Sequence, residues 1–239
     1  YGDHRDLHLS LHDALPICAL DYPADKLEIQ VLDDSTDDTK SVIARKVSEW
    51  QARGYDIQHI HRTNRKGFKA GALEEALEFA KGEFIAIFDA DFLPKPDFLL
   101  KTIPHFNRSN VGLVQTRWGH INRNYSLLTK LQAFALDAHF TVEQVGRNAS
   151  DGFINFNGTA GVWRKECIFN SGNWSPDTLT EDLDLSYRAQ LKNWEFVYLE
   201  DVESPAELPP VMSALKSQQY RRTRSEEHTL NSSHVAISY

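Results

Sequence analysis

The chain has 239 residues, 41% of them hydrophobic, enough to bury roughly 70% of the unfolded surface in one large domain or two small ones. Its 26 Lys and Arg stand against 34 Asp and Glu, a net charge of -8, which argues against a nucleic-acid partner held by a basic surface and means that an anionic substrate needs a local cationic patch or a metal. Cys18 and Cys167 match no ligand or redox spacing and point to a reducing compartment rather than a disulfide scaffold, and no run approaches the ~18 to 20 apolar residues of a membrane span.

The opening stretch, YGDHRDLHLSLHDALPI, lacks the continuous apolar core of a signal peptide. LEIQVL at Leu27 to Leu32 reads as a buried strand, DDSTDDT as a turn rich in helix-capping residues, and Thr39 to Arg53 as a surface helix. Ile57 to Ile60 is a second strand. HRTNRKGFKAG is a loop, after which Ala70, Leu73, Leu77 and Ala80 recur at helical spacing ahead of a third strand, Glu83 to Phe88. A helix is expected over Asp97 to Phe106 and a fourth strand, VGLVQT, over Val111 to Thr116. Strands alternating with helices at this spacing imply right-handed crossovers and a mainly parallel sheet flanked by helices, an α/β fold. Beyond Arg117 the pattern gives a long apolar helix from Ser126 to about Gly146, the glycine-bearing GFINFNGTAGVWR, a helix starting near Thr180 and a strand at Glu195 to Leu199. The whole reads as one domain in two halves, a nucleotide-type α/β half and a second half that completes the pocket. The polar tail RSEEHTLNSSHVAISY shows no amphipathic pattern and is expected to be disordered.

Ligands of open parallel sheets bind beyond the carboxyl ends of the strands, and three acidic stretches fall at or near such ends. DDSTDDT is accounted for as a turn and helix cap. In FDADF, Asp89 and Asp91 lie two residues apart and project to one side of an extended chain; at ~6 Å and an effective dielectric of ~20 their repulsion is about 3 kcal/mol. Either solvent absorbs that charge, or the pair supplies oxygen ligands for Mg²⁺ or Mn²⁺ beside a diphosphate. In TED, Thr180 can cap a helix whose positive end Glu181 and Asp182 complement; alternatively one carboxylate is a general base for an acceptor hydroxyl. The loop bearing Arg62, Arg65, Lys66 and Lys69 suits an anion at a helix amino terminus, although it is neither a P-loop nor a dinucleotide fingerprint. His59 and His61 alternate on a strand with no acidic or cysteine partner at ligand spacing, so no zinc site is expected there. Trp163 reads as core, and Trp174 as either core or a sugar-stacking surface.

Taken in order, VLDDSTDDT, NRKGFKAGAL, FDADF, FNGTAGVWR, TEDLDLSYR and QQYRR resemble the processive family 2 glycosyltransferases, nearest to cellulose synthase-like and mannan or glucomannan synthase-like enzymes, over about Ala19 to Arg221. The resemblance implies a GT-A fold and an inverting transfer of a hexose from a nucleotide-diphosphate sugar, of the UDP-glucose or GDP-mannose class, to a growing β-linked polysaccharide. A non-processive transferase acting on a lipid acceptor and a nucleotide-sugar-binding domain without catalysis are the alternatives. It implies Asp182 as general base, and Mg²⁺ or Mn²⁺ at Asp89 and Asp91. Asp34, Lys66, Lys69, Ala70, Gly71, Asp89 and Arg221 would hold the nucleotide sugar; Phe156, Asn157, Gly158, Glu181 and Gln218 would border the acceptor. Residues 1–18 and 222–239 are expected to lie outside the resemblance, and Arg222 stands where the family's QxxRW motif has tryptophan. The expectation is therefore a domain over 19–221, truncated at both ends, with terminal segments that read as sequencing or assembly artefact. The parent would be an active synthase at the cytoplasmic face of a membrane, reached through helices outside this chain. The chain by itself would be unstable or inactive, because the missing first strand opens the sheet.

Overall fold

A computed structural model describes residues 16–150, 152–175, 180–223 and 233–238. Two 3-10 turns, Pro16–Ala19 and Ala24–Lys26, lead into β1, Glu28–Asp33, which is buried at every position. Then come α1 (Thr39–Gln51), β2 (Asp56–His61), α2 (Phe68–Phe79), β3 (Phe84–Asp89) and α3 (Phe98–Thr102). The helix expected to reach Phe106 changes at Ile103 to a 3-10 turn, Ile103–Asn107, with Pro104 in its first positions; proline has no N–H for the α-helical ladder. Next are β4 (Val111–His120) and α4 (Leu127–Ala138), which starts at a capping box between Ser126 and Thr129. A π-helical segment, His139–Gln144, joins α4 to α5 (Val145–Ala149). β5 (Gly161–Arg164), α6 (Lys165–Asn170), α7 (Glu181–Leu191), β6 (Glu195–Ala206), α8 (Met212–Thr223) and β7 (Ser233–Ser238) complete the described elements.

One seven-stranded sheet has the order β2-β1-β7-β3-β5-β4-β6. β1 pairs with β2, and β4 with β6, in parallel; β5 and β7 are antiparallel to both of their neighbours. So β1, β2, β3, β4 and β6 share one direction, as the alternating pattern implies, and two reversed strands are set among them. Side-chain alternation sorts the core onto two faces. Ile29, Val31, Ala86, Phe88 and Val114 pack with α1 and α3 through Ile43, Val47, Phe98 and Leu99. Leu32, Ile85, Ile87 and Leu113 pack with α2 and α7 through Leu73, Leu77 and Leu185.

Two differences from the sequence expectation concern the sheet. β6 continues past Leu199 through Pro205, because β6 is the outermost strand and a proline there removes no ladder bond on its solvent side. Against the expectation of disorder, residues 233–238 form β7; 224–232 and 239 lie outside the described residues. β7 fills the gap between β1 and β3, with register pairs Ile29 to Ile237 and Ala86 to Ile237. The two unpaired strand edges that would flank such a gap are a template for any extended segment able to reach it.

Candidate active site

β1 and β3 deliver their last residues to the same end of the sheet, placing Asp33 and Asp34 on one side and Asp89 and Asp91 on the other. Asp34 is buried and clamped by Arg62, whose Nε donates to Oδ1 at 2.8 Å and Nη2 to Oδ2 at 2.5 Å. The same guanidinium donates to the carbonyls of Lys66 at 3.1 Å and Phe68 at 2.8 Å, so one side chain ties β1 to the loop that opens α2. Arg62 is thus committed inside the protein and is not an anion ligand of that loop, contrary to its grouping with Arg65, Lys66 and Lys69. The loop turns tightly: Arg65, Gly67 and Phe68 all have positive φ. Gly71 is required by contact, since a Cβ there would lie 2.1 Å from the Lys66 carbonyl oxygen. Lys66 stands exposed at the rim, with Ala70 and Gly71 in the first turn and a half of α2 behind it.

Lys69 is the hub of the site. Its Nζ donates to Asp89 Oδ1 at 2.5 Å and to the Gly158 carbonyl at 2.8 Å. Burial works against its charge, but the carboxylates of Asp89, Glu181 and Asp182 hold the ammonium above the usual lysine range. The Asp89 N–H donates to Thr159 Oγ1 at 2.8 Å, which locks the end of β3 to the 156–160 segment. That segment is set from beneath by Gln115 of β4, whose Oε1 accepts from Asn157 N–H at 3.1 Å while its Nε2 donates to the carbonyls of Thr159 and Ala160. Gly158 has φ of +80°, and a Cβ there would lie 3.1 Å from Asp182 Oδ2 and 3.8 Å from Lys69 Nζ. Glycine therefore lets the Asp182 carboxylate close over the loop toward the lysine. Asp182 Oδ1 accepts from the Leu183 N–H at 2.8 Å. Burial pushes the Asp182 carboxyl above its ordinary value, against that bond and the Lys69 charge.

Asp91 keeps an open surface in a crowded cleft; lost hydration, then the Asp89 charge, push its carboxyl up to about 6. Two carboxylates that resist ionising together, offering only oxygen donors, fit a hard divalent cation of the Mg²⁺ or Mn²⁺ kind. Asp34 is linked to Asp89 and Asp182 through Arg62 and the loop leading to Lys69, but its own carboxylate is buried against Arg62.

Other expected residues fall differently. The Phe156 ring is 1% exposed and packs edge-on to Trp163 at 5.6 Å, so it belongs to the core and does not border an acceptor; Asn157 is half-buried and Gly158 buried beside it. Trp174 is 3% exposed in the same cluster, which decides it as core along with Trp163. Thr180 precedes α7 without a side-chain cap bond, although Glu181, Asp182 and Asp184 do crowd the first turn. Gln218 is half-buried on α8; the Arg221 side chain lies outside the described residues. Sequence reasoning missed Thr159, Gln115 and Ser186, whose hydroxyl accepts from Phe156 N–H at 2.9 Å. Thr159 and Ser186 lie inside FNGTAGVWR and TEDLDLSYR, and Gln115 inside the strand VGLVQT, but nothing in those stretches singles them out; the pairing of β4 with β5 and the packing of α7 bring them under the loop. It also left His59 and His61 without an acidic partner, whereas Asp33 Oδ2 lies 2.9 Å from His59 Nε2 and 3.1 Å from His61 Nδ1.

The sequence profile described as "Glycosyltransferase like family 2" matches residues 4–230. Over 209 residues the chain is 48% identical to the probable glucomannan 4-beta-mannosyltransferase 11 of Oryza sativa subsp. japonica, covering 85% of this chain and 37% of that protein. It is 46% identical to glucomannan 4-beta-mannosyltransferase 2 of Arabidopsis thaliana, covering 85% of this chain and 39% of that protein. The chain therefore spans about two fifths of the length of these curated relatives. Among solved structures it is similar to the mannosyltransferase PcManGT from Pyrobaculum calidifontis in complex with GDP-Man and Mn²⁺, with a TM-score of 0.67 at 22% identity over 96% of this chain and 63% of that one. S. aureus TarS residues 1–349 in complex with UDP-GlcNAc gives 0.60 at 14% identity over 92% and 59%. At these identities the likeness shows the fold, GT-A.

Proposed function

The chain belongs to the glycosyltransferase-like family 2, and from that premise we propose that its cleft serves the inverting transfer of a hexose from a nucleotide-diphosphate sugar to a growing β-linked polysaccharide. The observation that carries the reading is the convergence of Asp182, Glu181 and Asp89 on Lys69 beneath Gly158. Asp182 is the general base: its carboxyl, raised by burial, is a better proton acceptor than an exposed aspartate, and its Oδ2 is the oxygen that faces Gly158. Lys69 orients Asp89 and the Gly158 carbonyl and limits the repulsion among the carboxylates around it. Asp34, Lys66, Ala70 and Gly71 form the nucleotide side, with Arg62 fixing their spacing; Arg221 joins them by resemblance alone. Asn157, Gly158, Glu181 and Gln218 form the acceptor side. Asp89 and Asp91 would hold a divalent ion, which would supply neutralisation of the charge on the departing diphosphate. One protein base suffices for such a displacement, unlike the carboxylate pairs of glycosidases.

The relatives named above are mannosyltransferases, which favours GDP-mannose as donor and a β-linked mannan or glucomannan as product. No described helix is long and apolar enough to cross a membrane. We place the domain at the cytoplasmic face of a membrane as part of a longer synthase. The test uses a full-length synthase containing this domain, assayed with GDP-mannose and UDP-glucose in parallel. Asp182→Asn should keep nucleotide-sugar binding and lower turnover by about 10²- to 10⁴-fold. Undiminished transfer by that variant refutes the base assignment.

A further inference from the structure

Asp33, His59 and His61 form a constellation that the glycosyl-transfer reading does not use. In the parallel register of β1 and β2, Asp33 sits opposite His61 and Val31 opposite His59, so the two imidazoles, two residues apart, share the face of the Asp33 carboxylate. One donor atom from each of the three residues lies within 4.8 Å of the other two. A tetrahedral zinc ion with bonds of ~2.0 to 2.1 Å sets its donors ~3.3 Å apart. The present separations from Oδ2, 2.9 Å and 3.1 Å, need only a small opening to reach that spacing.

The carboxylate is also oriented as a ligand should be. Its other oxygen, Oδ1, accepts from the Ser35 N–H at 2.8 Å, so Oδ2 alone is presented to the imidazoles. The Asp33 side chain is fully buried while those of His59 and His61 are 13% and 15% exposed, which leaves an approach for an ion and a further ligand on the histidine side.

We propose that Asp33, His59 and His61 are a second metal site, taking a zinc-class transition ion and separate from the all-oxygen pair Asp89 and Asp91. Two imidazole nitrogens and one carboxylate suit zinc, whereas Mg²⁺ and Mn²⁺ prefer oxygen. Each ligand strand runs directly into the clamp of the nucleotide loop: Asp33 precedes Asp34 and His61 precedes Arg62. A metal here fixes the two backbone ends from which the Asp34–Arg62 pair springs.

The test takes the full chain, stripped with a chelator, and titrates Zn²⁺ alone against a chromogenic competitor. One ion per chain with micromolar or tighter affinity is expected. His59→Gln with His61→Gln should weaken it by at least about 10-fold, while Asp91→Asn leaves it unchanged. Zn²⁺ should raise the Tm of the unmodified chain and not that of the double variant. Absence of stoichiometric zinc, or equal affinity in the double variant, overturns the proposal. A double variant that does not fold is replaced by imidazole NMR of the unmodified chain. Zinc-induced shifts at His59 and His61 support the site; shifts elsewhere, with those two unmoved, overturn it.

Discussion

Replacing Lys69 with methionine removes a cation that Asp89, Glu181 and Asp182 share while keeping most of the side-chain volume. A unit-charge pair ~4 Å apart is worth about 4 kcal/mol at an effective dielectric of ~20, and removing one partner of a buried pair typically costs about 3 to 5 kcal/mol. Lys69 and Asp89 are 17% and 32% exposed, so water offsets part of this and the expected cost lies near the lower end, about 3 kcal/mol. For a domain of this size each kcal/mol shifts Tm by about 2 to 4 °C, giving a fall of about 6 to 12 °C for Lys69→Met, read by circular dichroism during thermal and urea unfolding. The sign with pH follows from the raised lysine pKa. Its contribution is complete below the ordinary lysine value and is lost only as pH rises through the higher folded value, so the deficit should hold steady from about pH 7 to 9. Mn²⁺, by supplying positive charge to the same carboxylates, should recover part of it. A Lys69→Met chain within about 0.5 kcal/mol of the original, the scale of ordinary surface substitutions, would refute the hub assignment.

Gly71→Ala drives a Cβ into the Lys66 carbonyl at 2.1 Å, so the loop held by Arg62 must open; about 1 to 3 kcal/mol of stability and most nucleotide affinity should go, and an unchanged nucleotide titration contradicts this. Because the Asp91 carboxyl is pushed up to about 6, a proton competes with a divalent ion there below that pH. Mn²⁺ affinity followed by paramagnetic resonance should therefore fall between about pH 7 and 5, and a flat profile removes Asp91 as a ligand. Deleting residues 233–239 leaves the facing edges of β1 and β3 unpaired. That chain should aggregate or lose its cooperative transition, and a monomer with the original Tm would show that β7 is dispensable.

Most of the nucleotide half was legible because its elements are local. β1 and β3 are short apolar runs, and α2 shows its period through Ala70, Leu73 and Leu77, all buried. The ordered acidic stretches also carried the family, since each keeps its spacing within a few residues. What the sequence hid was partner choice. The strand expected over Glu195 to Leu199 stops short, yet the outer position of β6 carries it through Pro205. SHVAIS reads as part of a polar tail, yet two open strand edges recruit it into the middle of the sheet. Phe156 sits inside a motif that borders an acceptor by resemblance, yet its ring closes the core against Trp163.

The sequence by itself determined the alternating α/β pattern, the family, and the set of acids from which a transfer site can be built. Tertiary structure alone decided which groups meet: Lys69 with Asp89, Gly158 with Asp182, Arg62 with Asp34, and Asp33 with two histidines on the next strand. The physical reason is that periodicity fixes the face on which a side chain lies. Strand register and loop closure, which bring together residues such as Lys69 and Gly158, 89 positions apart, fix what it touches.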